Sequence, residues 1–209
     1  MGGIKTMSKN GKTRIIEAAQ RVIGRNGIFG ATVRGIAEEA NMSTGAIYHY
    51  YKSKEEILYD VMDQSLSVSS KILHETETGA LDIDELFEEI YKNIINRFEK
   101  SDENKLQFYL SHEAMLGDEE LKEKFKEKYK TWISSIEVLM QKLYNKPQSH
   151  LNNAFISILL AGIDGVLLQL LLEANTASKK EITEVYRLLL LDGVPKFQDF
   201  LYSQEQSKL

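Results

Sequence analysis

The chain has 209 residues, 43% of them hydrophobic and 27% charged, which is enough to bury a sizeable core in one or two domains. The absence of cysteine excludes a disulfide framework and any thiolate metal site, and with only two prolines long helices can run uninterrupted. The net charge of −5 argues against a polyanionic partner until it is divided along the chain. Residues 1–54 hold nine basic residues (Lys5, Lys9, Lys12, Arg14, Arg21, Arg25, Arg34, Lys52, Lys54) against three acidic ones (Glu17, Glu38, Glu39), a net of +6. The rest holds 17 basic and 28 acidic residues, a net of −11. A basic head on an acidic body is the pattern of a nucleic-acid binder.

In chain order, MGGIKTMSKNGK lacks the apolar run of a signal peptide, so a cytoplasmic protein is expected, with Lys5, Lys9 and Lys12 as a basic arm. Ile15, Ala18, Ala19, Val22 and Ile23 form an apolar stripe that predicts a helix from Thr13 to Asn26, stopped by Gly27. Ile28 and Phe29 are expected to plug the small core beside it. Val33, Ile36, Ala37 and Ala40 fall at i, i+3, i+4 and i+7, one face of a second helix with Thr32 as its N-cap. Asn41 stands at the turn, where a residue tolerant of left-handed backbone is needed. Ser43 or Thr44 opens a third helix through Tyr51, with Ile47 inward and Thr44, Gly45, Tyr48, His49 and Tyr50 outward. Ser53 and Glu56 form a capping box for a fourth, from Lys54 to about Glu75.

After a turn from Glu75 to Asp82, helical patterns run from Asp84 to Lys100, Asn104 to Met115 and Asp118 to Tyr144. The run EELKEKFKEKYK reads as a solvated face laced with i, i+4 pairs. Ala154 to Leu172 is nearly continuous hydrocarbon, long enough for a membrane span, but Asp164 and Gln169 argue against one. No membrane partner is expected; such a helix should be buried all round. The last helix, Lys179 to Tyr202, begins with a Ser178/Glu181 capping box and carries more apolar surface than one contact needs. These two helices predict a homodimer seam through Gly162, Gly165, Leu188, Leu189, Val194 and Phe197.

Catalytic and cofactor patterns are missing. His49, His74, His112 and His150 are scattered, and no nucleophile elbow, Walker loop or dinucleotide fingerprint appears. The expectation is no enzyme, no metal and no cofactor.

The strings TVRGIAEEA and STGAIYHYYKSKEEIL resemble the tetracycline-repressor (TetR) family of bacterial transcriptional regulators, over roughly residues 12–60. Two departures stand out: Asn41 where Gly is common, and Tyr50-Tyr51 where His-Phe is common. The resemblance implies an all-α fold, with a three-helix helix-turn-helix DNA-binding domain over 1–54 and a larger helical effector-binding and dimerisation domain over 55–209. It implies a homodimeric repressor, released from double-stranded operator DNA by a small, largely apolar effector.

On the DNA side, Thr32 and Lys54 are expected on phosphates, and Tyr48 and Tyr50 on backbone oxygens or sugars. Ser43, Thr44, Gly45 and His49 are expected near base edges, with Arg34 on either. Candidate ligand-lining residues are Phe87, Phe98, Phe108, Met115, Trp132 and Met140, with Asp164, His112 and Glu113 orienting a polar group. The alternatives are a DNA binder of the same fold without an effector, and a helical ligand carrier or enzyme.

Overall fold

The computed structural model describes residues 3–66, 72 and 82–207, the side chains of 3–10 excepted. Every described element is a helix: α1 (Gly3–Gly30), α2 (Val33–Glu39), α3 (Thr44–Tyr48), α4 (Lys54–Leu66), α5 (Ile83–Glu99), α6 (Ser101–Met115), α7 (Glu119–Tyr144), α8 (Asn152–Leu171), α9 (Lys179–Leu188) and α10 (Val194–Gln206). The protein is all-α. The later part of the expected fourth helix, the turn from Glu75 and the side chains of Lys5 and Lys9 lie outside the described residues.

Local chemistry sets the helix starts. Thr32 Oγ1 accepts the Gly35 N–H at 3.0 Å and Ser43 Oγ accepts that of Ala46 at 3.1 Å, so each satisfies a donor that its helix leaves unpaired. Asp82 with Glu85 and Ser178 with Glu181 make full capping boxes. Asn41 turns the chain at φ 52, in the left-handed region. Gly27, at φ 71 and ψ 173, breaks the helical path inside α1, which begins ten residues before the expected Thr13.

The chain folds as two compact units. The first contains residues 1–66 and 105–125. Ile15, Ala18, Ala19 and Val22 of α1, Ile36 and Ala37 of α2, Ile47 of α3, and Ile57, Leu58, Val61 and Met62 of α4 are buried in it. Helix α4 belongs here because it packs on α1 and because Tyr59 Oη donates to the Lys124 carbonyl at 3.0 Å. Phe29 departs from expectation: it is 84% exposed, its ring edge-on to Tyr109 at 5.4 Å, and Ile28 is only half-buried. The left-handed step at Gly27 places them past the end of the α1 stripe, so neither plugs the core.

The second unit contains residues 67–104 and 126–209. One apolar cluster joins Met140, Phe155, Ile156, Val194 and Leu201, from α7, α8 and α10. Another joins Ile72, Leu86 and Leu139, with Ile90 and Leu143 against it. The expected last helix is interrupted by a π-helical turn over Leu189–Gly193. Pro195 has no N–H to donate to the carbonyl four residues back, which favours a wider turn at this point. Tyr144 Oη donates to the Leu190 carbonyl within that turn at 2.7 Å.

Helix α8 is long and apolar enough to cross a membrane by length and composition, yet only 11% of its most apolar window is buried within the chain. Burial all round is therefore not supplied by a single copy. Ile158, Leu168 and Leu172 of this segment are exposed, as are Val185 and Leu188 of α9, Leu191 of the π turn, and Phe197 and Phe200 of α10.

Candidate functional site

The head is wired by its own arginines. Arg14 Nη2 donates to the Ala40 carbonyl at 2.6 Å, placing a cation where the carbonyls of α2 end. Arg21 (2.6 Å) and Arg25 both pair with Glu39, and their hydrogen bonds, Arg25's first, hold that carboxyl below its ordinary value. Arg14, Arg21 and Arg25 thus bind the head itself. Charge counting could not show this, because Glu39 is distant from both arginines in sequence.

The expected DNA-facing residues occupy one stretch of surface. Thr44 and Gly45 are exposed at the start of α3, Tyr48 and His49 at its end, while Ile47 is fully buried beneath them. Thr32 and Ser43 are exposed caps whose oxygens accept backbone N–H bonds, which leaves each hydroxyl proton available to an outside acceptor. Arg34 is exposed and paired with Glu38 at 2.9 Å.

Tyr50 is placed differently from its neighbours. It is half-buried, with its phenol against α1 at Gly11, where a Cβ would come within 2.3 Å of Tyr50 Oη. The glycine accommodates the ring, so this phenol is directed at α1. Tyr51 is buried and donates to Asp60 Oδ2 at 2.9 Å. Burial first, and the nearby Asp60 second, push its phenol well above the usual tyrosine range.

Lys54 begins α4, with Nζ 5.9 Å from the centre of the Tyr109 ring, and Lys52 pairs with Glu120 at 3.5 Å. Lys124 reaches Glu56 at 3.4 Å. The charges of EELKEKFKEKYK are therefore not only self-paired: Lys122–Glu119 and Lys130–Glu127 pair at i, i+3, but Glu120 and Lys124 hold the start of α4.

In the second unit, polar residues meet on the inner sides of several helices. Arg97 Nη1 donates to Asn104 Oδ1, and Asn104 Nδ2 returns a bond to the Arg97 carbonyl at 2.9 Å. Tyr129 Oη donates to Asp164 Oδ2 at 2.5 Å, and the Tyr129 ring meets Trp132 edge-on at 5.2 Å. Phe98 packs on Tyr186 at 5.5 Å. Burial lowers the Arg97 pKa, opposed by the charge of Asp164, and burial raises the Tyr186 phenol to about 12.

Of the expected ligand-lining residues, Phe98, Trp132 and Asp164 belong to this cluster. Phe87 is half-buried on α5, and Met140 is packed in the separate apolar cluster with Val194. Phe108, His112, Glu113 and Met115 fall in the first unit, with His112 and Met115 exposed. Sequence reasoning missed Asn93, Arg97, Asn104, Tyr129 and Tyr186. A signal existed: Leu86, Ile90, Asn93 and Arg97 form one stripe of α5, whose last two members are polar.

The expected seam residues also separate. Leu188 and Phe197 are exposed, Gly162 is exposed, and a Cβ on Gly165 would meet nothing within 4 Å. Leu189 packs on its own core cluster, and Val194 is 1% exposed inside it. Val194 is a core residue, because the π turn rotates α10 so that this position faces Met140 and Phe155. Among the described residues no group of three or more His, Cys, Asp or Glu side chains could hold a metal.

Residues 15–61 match the sequence model described as "Bacterial regulatory proteins, tetR family". The chain is 27% identical to the HTH-type transcriptional regulator UidR of Escherichia coli over 90 residues, 43% of this chain and 46% of UidR. The matched stretch thus spans about half of that relative. With the HTH-type transcriptional regulator BetI of Vibrio atlanticus, identity is 29% over 155 residues, 73% of this chain and 77% of BetI. The solved fatty acid degradation regulator FadR from Bacillus halodurans shares the fold, with a TM-score of 0.62 at 19% identity over 87% of this chain and 95% of that one. Residues 15–61 thus belong to the TetR family of bacterial regulatory proteins, and the order of helices in the chain is that of the same fold.

Proposed function

We propose that this protein is a homodimeric transcriptional repressor that binds duplex DNA through residues 32–54 and leaves it when a small, largely apolar molecule binds the second unit. The observation that carries the reading is the surface around α3. A fully buried Ile47 anchors a five-residue helix whose Thr44, Gly45, Tyr48 and His49 are exposed together. Such a helix offers hydroxyl, imidazole and bare backbone to base edges, while Thr32, Lys52 and Lys54 flank it for phosphates. Arg34 stands on the same head, free to exchange an exposed partner for a phosphate or a guanine.

Dimerisation is supported by the uncovered apolar surface of α8, α9 and α10. A stretch this apolar left in water favours association, and a second copy offers a matching face. Two copies also present two recognition helices, as required to reach successive major grooves about 34–36 Å apart. An effector is supported by the polar groups set among aromatic rings in the second unit.

The test is duplex binding measured across salt concentration, with sedimentation run in parallel. A steep fall in affinity with salt, and a dimer at micromolar concentration, are expected. A monomer that binds operator tightly, or duplex binding indifferent to salt, overturns the reading.

A further inference from the structure

The polar cluster of the second unit has an unusual balance. Charges of both signs meet in it: Arg97 is bonded to Asn104 and Asp164 to Tyr129, with Glu103 near Arg97 and Lys128 over the Trp132 ring at 5.2 Å. One further donor is unsatisfied. Asn93 Nδ2 is cut off from solvent and has no hydrogen-bond partner among the described residues. Tyr186 is half-buried, with its ring packed on Phe98. Asn93 lies one turn before Arg97 on the same face of α5, and Tyr186 comes from α9, which packs on α5. Gly162 of α8 lies beside this phenol, where a Cβ would stand 3.7 Å from Tyr186 Oη, an ordinary contact.

A buried amide donor without an acceptor is costly, so this stretch of interior is built to receive one. The charge balance decides what kind. An anionic head would gain Arg97 but face Asp164, and a cationic head would gain Asp164 but face Arg97; each would also lose its own hydration. A neutral head that accepts hydrogen bonds incurs neither repulsion. The rings of Phe98, Trp132 and Tyr186 supply an apolar wall for the remainder of the molecule.

We propose that Asn93, Arg97, Tyr129, Trp132, Asp164 and Tyr186 bound a recognition site for an uncharged organic molecule with an apolar body and a hydrogen-bond-accepting head. This rests on the reading of the second unit as the effector-binding part and names its ligand class. Asn93 and Tyr186 donate to the head; the Arg97–Asp164 balance excludes charged analogues.

Trp132 is the chain's only tryptophan, so its fluorescence reports this site alone. The full-length protein is titrated with octanamide, octanoate and octyltrimethylammonium, three heads on one tail. Octanamide is expected to give a saturable change in Trp132 emission, and the two charged probes to bind at least about tenfold more weakly. Asn93→Leu and Tyr186→Phe should each weaken octanamide about tenfold. Asn93→Leu should melt no lower than the unmutated protein, because it removes an unsatisfied donor, and this separates lost contact from lost fold. A charged probe binding as tightly as octanamide, no response to any probe, or unchanged octanamide affinity in Asn93→Leu each overturns the site. Salt-dependent duplex binding is measured on the probe-free protein: its presence without an octanamide response rejects this site alone, and its absence rejects the regulator reading.

Discussion

Tyr51 donates its phenolic proton to Asp60 across 2.9 Å, tying the end of the helix-turn-helix segment to the second turn of α4. Because the bond runs to a carboxyl oxygen and the ring is buried, Tyr51→Phe should cost about 1.5–3 kcal/mol, the range for hydrogen bonds to charged groups. Urea unfolding should show the loss as a lower midpoint at unchanged slope. A cost under about 0.5 kcal/mol would mean that water replaces the bond without penalty.

Stability should also fall at both ends of the pH scale. Burial raises Tyr59 and Tyr186 from 10.0 to about 12, and Tyr51 and Tyr144 further. A phenol raised on folding contributes stability fully present below pH 10, which is lost as pH climbs toward the folded value. Phenolate absorbance should therefore rise together with unfolding between pH 10 and 12. Glu56 moves the other way. Burial would raise it, but the Lys52 N–H and the Lys124 ammonium, both bonded to it, bring it well below 4.5. Its contribution is present above pH 4.5 and disappears as pH falls below that, so Glu56→Gln should flatten the acid limb.

Lys52 and Lys54 are expected to act as phosphate contacts and His49 as a base reader. Lys54→Ala should weaken all duplexes alike and reduce the salt slope by about one. His49→Ala should relax the preference among operator variants by about 1–3 kcal/mol. Glu120→Gln releases Lys52 from its partner and should raise non-specific affinity, read by titration of an unrelated duplex. Identical footprints for Lys54→Ala and His49→Ala would contradict this division.

Leu188, 55% exposed, is the better place to probe the seam than Leu189, which packs on its own core. Leu188→Glu should leave helicity intact and produce monomers, since burying an unpaired charge at an interface costs several kcal/mol. Sedimentation and duplex binding should fail together. A variant that remains dimeric places the seam elsewhere.

Two glycines of α1 should respond oppositely to alanine. Gly24 has helical backbone and nothing within 4 Å of a Cβ, so Gly24→Ala should stabilise by about 0.5–1 kcal/mol. Gly27 sits at φ 71, and Gly27→Ala should destabilise by about 1 kcal/mol or more. Thermal melts of the two variants give the sign directly.

The head was legible in the sequence because its determinants are local. Thr32 and Ser43 each accept the N–H three residues ahead, Asn41 takes the left-handed turn, and Ile36, Ala37 and Ile47 recur at helical spacing, so neighbouring residues alone dictate each feature. Helix limits in the body were legible for the same reason, with the Ser178/Glu181 box as one case.

Only the tertiary structure decided which side chains share a neighbourhood across long separations. Arg14 meeting Ala40, Tyr50 lying on Gly11, Lys124 holding Glu56 and Tyr129 bonding Asp164 depend on helix packing that periodicity does not encode. The same holds for Val194. Its spacing marks an apolar face, but the π turn after Leu188 rotates the following helix, and that rotation assigns Val194 to the core while leaving Phe197 at the surface. Apolar spacing shows that a face must be covered; the path of the backbone determines what covers it.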